Sequence, residues 1–356
     1  MTAKSVNQFS RQTEPSRFKS ACYLENRATR SVMSEVMLLD LVKSDLLRVE
    51  DKMRSIGDGA YAPLAQAFLH LLASGGKRLR PALVLAAYGF FAQPASEKAI
   101  AVAAAVETLH TATLVHDDLI DEALIRRGNV TLNATWNKGA TVLAGDYIFA
   151  RAAGFAAETE NVRVVQLFAD TLRIIVEGEL RQLFSSRQWR QPKEAYYPRI
   201  FAKTASLFAA ATRSGAILGG ASPEQEQALY DYGRNLGMAF QIVDDILDYA
   251  GNEAVLGKPV GGDLRQGIVT LPFFYFLEAH PNPDEVVALL EQSLNAAGNG
   301  VAEIVDMVRN SDAIPKAFAE ARSFCELAKA NLAAMPAGRY RQALHDLADF
   351  VVTRHA

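Results

Sequence analysis

Apolar residues along this chain recur at every third and fourth position, and nowhere do they alternate with polar ones as a half-buried strand requires. From Ser34 onward, Val36, Leu39, Val42, Leu46, Val49 and Met53 form one stripe behind a serine suited to cap a helix. The pattern returns from Glu97 to Ile125, from Tyr196 to Leu218, from Pro223 to Tyr249 and in several shorter stretches. Glycine and proline punctuate it at Gly75-Gly76, Gly128-Asn129, Pro192, Gly219-Gly220, Gly251 to Gly262, Pro281 to Pro283 and Pro336 to Gly338. About a dozen helices without strands predict an all-α bundle. A length of 356 residues would allow two domains, yet no linker divides the chain, so residues 34–356 are expected to form one helical domain.

Composition narrows the functions open to such a bundle. Half the residues are apolar, enough for a large core. The 37 Lys and Arg nearly balance 40 Asp and Glu, for a net charge of −3, so no basic field exists to hold nucleic acid. Two cysteines, Cys22 and Cys325, exclude a disulfide scaffold and a cysteine-based zinc site. No uninterrupted apolar run reaches the ~18 residues of a membrane span; the stretch from Pro81 to Ala92 is cut by Gln93 and Pro94. Residues 1–33 carry Arg11, Arg17, Lys19, Arg27 and Arg30 with few carboxylates and no periodicity. They read as a disordered extension of a cytoplasmic protein, with an organelle transit peptide as the alternative.

Chemistry concentrates in two acidic helix segments. His116-Asp117-Asp118-Leu119-Ile120-Asp121 and Val243-Asp244-Asp245-Ile246-Leu247-Asp248 each place carboxylates at i, i+1 and i+4. At 3.6 residues per turn, i and i+4 share a face. Like charges so placed destabilise an isolated helix, and the surroundings here are apolar, so divalent cations are the expected counter-charge. Mg²⁺ suits hard oxygen ligands completed by water and phosphate. A single such motif would more simply be a solvated helix end; two in one chain point to metal.

Basic residues are spread around both motifs. Gly75-Gly76-Lys77-Arg78-Leu79-Arg80-Pro81 sets flexible backbone and three cations at a helix start, a setting for a diphosphate. Arg126-Arg127-Gly128 follows the first motif, and Lys203-Thr204 and Lys258 flank the second. Two anionic substrates fit this division, one held mostly through metal and one mostly through Lys and Arg. His110 and His116 are six residues apart and do not share a helix face, and no HExxH pattern occurs; His116 reads as structural.

In this order the residues resemble those of trans-isoprenyl diphosphate synthases, the polyprenyl synthetase family. The resemblance runs from the helix near Leu38 through the Gly75 to Pro81 segment, Leu109-His110 to Gly128, and Ala144-Gly145-Asp146-Tyr147. It continues through Lys203-Thr204-Ala205, Phe240-Gln241 to Asp248, Gly257-Lys258-Pro259 to Leu271-Pro272, and the terminal helix ending at Arg354. The wording from Gly257 to Pro272 is similar to heptaprenyl-, octaprenyl- and solanesyl-type members. The resemblance implies an isoprenoid-synthase bundle around a central cavity, usually a homodimer. Its enzymes join isopentenyl diphosphate head-to-tail to an allylic diphosphate. It implies catalytic carboxylates at Asp117, Asp118, Asp121, Asp244, Asp245 and Asp248. All of these except Asp245 would hold metal, about three Mg²⁺ in all. Arg126, Lys203, Thr204, Gln241 and Lys258 would bind the allylic diphosphate, and Lys77, Arg80, His110 and Arg127 the isopentenyl diphosphate.

One departure is Ile268, where many members carry a second lysine after the glycine. The growing product in this family runs beside the first acidic helix, toward a floor formed upstream of its first aspartate. Here those positions are Leu109, Ala112 and Thr113, and no aromatic residue lies between Ile100 and Asp117. An open floor implies a long product, about C30 to C50. Other readings are a short-chain synthase, a partner-dependent subunit of a heteromer, and a terpene cyclase, against which the basic isopentenyl site argues.

Overall fold

A computed structural model describes residues 37–126, 128–251, 260–295 and 300–354. The expected extension at 1–33 and the Ser34 cap lie outside these residues, as do Arg127 and Lys258. The described chain is an all-α bundle. Glu97–Ile120 runs through its middle and packs on Lys138–Ala157 and Leu79–Gly89. Ser206–Gly219 packs on Leu79–Gly89 and on Pro223–Ala250, which in turn lies against Ala313–Asn331.

Local sequence sets the helix starts. Ser96 Oγ accepts from the Ala99 N–H at 3.2 Å, and Asn137 Oδ1 accepts from the Ala140 N–H at 2.9 Å. Ser222 and Gln225 form a reciprocal capping box at the head of the 28-residue helix Pro223–Ala250. Helices also approach closely where glycine allows it. A Cβ on Gly215 would stand 2.2 Å from Val84 O, so no larger residue fits between these two helices.

The structure departs from the sequence reading in four places. Glu97–Ile120 is long and apolar enough to cross a membrane by length and composition, which a search for uninterrupted runs misses; 72% of its most apolar window is buried, as in a core helix. The first stripe is two helices, 37–41 and Lys43–Arg54, separated at Val42. The helix expected to reach Ile125 ends at Ile120, and Ile125–Arg126 pairs antiparallel with Asn129–Val130. Gly128, at φ +77°, makes that two-residue hairpin turn affordable for the backbone. Finally, Tyr196 to Leu218 is not one regular helix: Tyr196–Ile200 widens into a π turn, Phe201–Ala205, before Ser206–Gly219 resumes the α pitch. Such turns often accompany functional sites, and this one carries Lys203 and Thr204.

Candidate active site

The C-terminal parts of the two acidic helices border a cavity of about 740 Å³ together with Val162–Phe184 and the π turn. Asp117 and Asp121, one turn apart, line it from one side, and Asp244, Asp245 and Asp248 from the other. Lys203, Thr204 and Gln241 lie between. Asp118, about 100° further round its helix, turns away from Asp117. It is buried and accepts Arg126 Nε at 2.6 Å, which ties the hairpin to the helix.

Burial governs the charges here. It pushes the Asp117 carboxyl up to about 7, with Glu179 and Asp121 adding to the rise and Lys203 opposing it. The Asp118 carboxyl is raised by the same desolvation, against the pull of Arg126. Burial works against the Lys203 ammonium, yet Glu179, Asp117, Asp263 and Asp121 together hold its pKa above the usual lysine value. A buried carboxylate neutralised only by protonation is one that a cation would ionise. The donor set of Asp117, Asp121, Asp244 and Asp263 is all hard oxygen on one cavity, which fits Mg²⁺.

The second motif divides its labour differently from the sequence expectation. Asp245 is buried and accepts Tyr196 Oη at 2.7 Å and Gln241 Nε2 at 2.7 Å; Thr204 Oγ1 donates to the Oε1 of the same Gln241. Desolvation lifts the Asp245 carboxyl to about 6 even against those two donors. Its carboxylate therefore anchors Gln241 and Thr204. Asp248, expected to hold metal, lines the same cavity and accepts the backbone N–H of Gly262 at 3.2 Å and of Asp263 at 3.0 Å. Both its oxygens are engaged in capping the short helix Gly262–Arg265, and this arrangement presents Asp263 to the cavity.

An adjoining cavity of about 580 Å³ is lined by Lys77, Arg80, His110, Arg126 and Arg354. The Lys77 ammonium sits 5.1 Å from the Phe350 ring centroid, and the Arg80 guanidinium 4.9 Å from that of Phe208. Arg78 does not share their role. It takes a left-handed backbone, φ +51°, and donates to Glu107 at 3.2 Å, Glu50 at 3.3 Å and Leu72 O at 2.9 Å. The two cavities share Arg80, His110, Leu114, Arg126, Phe240 and Asp244, so they are compartments of one site.

Of the three expected floor residues only Thr113 lines a cavity. Leu109 and Ala112 are fully buried in helix packing and line neither. His116, expected to be structural, bonds Val142 O through Nε2 at 3.1 Å and packs its ring on Phe149, and it also lines the larger cavity. Ile268 lines the larger cavity beside the carboxylates.

Three residues escaped the sequence reading. Glu179 shares the cavity with Lys203 at 3.7 Å, and its signal was a carboxylate four residues from both Ile175 and Leu183 on an apolar stripe. Asp263 was the lone acid in the Gly257 to Pro272 stretch. Arg354 Nη2 lies 2.7 Å from Asp244 Oδ1, with its guanidinium 3.8 Å from the Phe240 ring centroid; at a chain end it gave no local signal.

The polyprenyl synthetase family model matches residues 62–308. Heptaprenyl diphosphate synthase component 2 of Geobacillus stearothermophilus is 38% identical over 317 residues, covering 89% of this chain and 98% of its own. Octaprenyl diphosphate synthase of Haemophilus influenzae is 34% identical over 329 residues, covering 92% and 99%. The structure of a Caulobacter crescentus polyprenyl synthase, complexed with calcium and isoprenyl diphosphate, superposes with a TM-score of 0.85 at 36% identity, covering 90% of this chain and 98% of that one. A pair of carboxylate clusters facing a cationic compartment thus occurs here on a matching fold and a matching sequence, and the chain belongs to the polyprenyl synthetase family of prenyltransferases.

Proposed function

We propose that this chain condenses isopentenyl diphosphate head-to-tail with an allylic diphosphate, with Mg²⁺, to give a long all-trans polyprenyl diphosphate of about C30 to C50. The observation that carries the reading is the pair of joined compartments, one acidic around a lysine and one cationic, each suited to a different diphosphate.

Asp117, Asp121, Asp244 and Asp248, with Asp263 on the same cavity, would hold the metal ions, whose positive charge stabilises the departing diphosphate. Lys203 adds a fixed cation beside them, and Thr204 and Gln241 offer oriented polar groups. Lys77, Arg80 and His110 hold isopentenyl diphosphate in the other compartment, and Arg126, which lines both, adds its charge to the allylic diphosphate. The allylic C1–O bond breaks, and the isopentenyl double bond supplies the electron pair of the new C–C bond. A proton then leaves the isopentenyl unit to the released diphosphate. Leu114 and Phe240, common to both compartments, give the reacting carbons an apolar wall without nucleophiles. Arg127 and Lys258, outside the described residues, would add charge to the two diphosphate sites.

The same reading gives a homodimer. Leu143, Val176, Leu180, Leu183 and Phe184 are exposed apolar side chains on the consecutive helices Lys138–Ala157 and Val162–Phe184.

The test is incubation of the purified chain with labelled isopentenyl diphosphate, Mg²⁺ and C5, C10, C15 or C20 allylic primers, with products sized by mass. A ladder ending at C30 or beyond is expected. A stop at C15 or C20 would overturn the product length, and cyclic hydrocarbon from primer alone would favour a terpene cyclase. No incorporation from any primer would favour a subunit that needs a partner.

A further inference from the structure

We propose that Phe149 sets the length of the prenyl product by narrowing the larger cavity, an inference that rests on the elongation reading above. The positions where the sequence placed a floor do not supply one: Leu109 and Ala112 are buried and line neither cavity. At that depth the first acidic helix offers the growing chain Thr113 and Leu114 and no aromatic side chain. Phe149 enters the same cavity from Lys138–Ala157, and among the described residues it alone does so from that helix.

Depth follows from helix register. Thr113 lies four residues before Asp117 and Ile175 four before Glu179, so each sits one turn, about 6 Å along its axis, from a carboxylate that acts on Lys203. Diphosphate chemistry belongs at the charged level, so the hydrocarbon must extend toward this apolar level. Phe149 is the side chain that narrows this cavity from Lys138–Ala157. Its ring is backed rather than sealed in. One side packs on the His116 ring, with centroids 5.3 Å apart at 53°. His116 is itself fixed by Val142 O at 3.1 Å and by Gly145, where a Cβ would come within 2.1 Å of Nε2. Phe149 remains partly accessible, as a side chain facing a cavity should. A held imidazole beside the phenyl ring on the same cavity wall makes a stop whose position depends on the ring's bulk.

The experiment compares wild type with Phe149→Ala and Phe149→Trp, using farnesyl diphosphate, isopentenyl diphosphate and Mg²⁺, and reads the distribution of product lengths. A distribution is independent of total turnover, so partial loss of activity does not obscure it. Phe149→Ala is expected to lengthen the main product by one or more five-carbon units, and Phe149→Trp to shorten it. Should the alanine variant fail to fold, Phe149→Leu is expected to shift the distribution in the same, longer direction. Variant distributions that superimpose on wild type, or that shift the same way for Ala and Trp, would overturn the assignment while leaving the elongation reading intact. Absence of incorporation by wild type from every primer would instead overturn that reading and this assignment with it.

Discussion

Asp117 and Asp118 are adjacent in sequence, yet they are neutralised in different ways. Asp118 has a guanidinium at 2.6 Å, while Asp117 faces the cavity with its carboxyl pushed up to about 7, chiefly by burial. A carboxyl raised from 3.8 in the unfolded chain to about 7 in the fold stabilises the protein fully below pH 4, and that contribution is lost as pH rises through 7. Thermal denaturation of the metal-free protein should therefore show a component of stability that declines between these limits and is absent in Asp117→Asn. Mg²⁺ binds the ionised form, so the rise in Tm that it causes should grow as pH increases through 7. A metal-induced shift independent of pH over that range would count against Asp117 as a ligand.

Neighbouring cations separate in the same manner. Arg78→Ala would leave the buried Glu107 without its partner, at a cost of about 3 kcal/mol, seen as a fall in denaturation midpoint. Lys77→Ala removes an ammonium that lines the smaller cavity beside the Phe350 ring, and should cost less, about 1 kcal/mol. Its effect should appear as a raised KM for isopentenyl diphosphate. Equal midpoint losses for the two variants would refute this separation.

At the scale of the element, the π turn is what brings Lys203 and Thr204 to the acidic helices, and Gly178 allows the helix carrying Glu179 to lie against it. A Cβ on Gly178 would stand 2.3 Å from the Ala202 Cβ. Gly178→Ala must push the two elements apart, costing about 1–3 kcal/mol by overpacking. It should also lower kcat, because Glu179 and Lys203 separate. Unaltered stability and turnover, measured by denaturant melt and steady-state assay, would show that the contact is not needed.

These elements also show what the sequence could convey. The acidic motifs, the glycine-flanked cations and most helix bounds were legible because each depends on spacing within one segment. The π turn was not, since one extra residue in a turn leaves the apolar periodicity of Tyr196 to Leu218 almost unchanged. Nor was the engagement of Asp248, whose partners are backbone N–H groups 14 and 15 residues away. Leu109 and Ala112 lie upstream of the acidic motif as a floor would, but their exclusion from the cavity depends on which face of a helix meets which neighbour. Periodicity cannot supply that for Glu97–Ile120, a helix apolar on nearly every side.

For the whole molecule, the charge arrangement leaves one face without a function in catalysis by a single chain. The cations and carboxylates point into the paired cavities, whereas Leu143 at 69% exposure and Phe184 at 81% present apolar surface to solvent. Val176 and Leu180, on the helix that carries Phe184, are exposed and line the larger cavity. A second copy seated on this face would remove the apolar surface from water and shield the hydrocarbon compartment at once, which a monomer cannot do. Light scattering at micromolar concentration should then give twice the chain mass of 38.8 kDa. Leu143→Glu, which places a charge at the face but outside both cavities, should shift the population toward monomer. A wild-type monomer would remove the homodimer from the functional reading. A Leu143→Glu variant that stays dimeric would move the interface to another face and leave Val176 and Leu180 open to water.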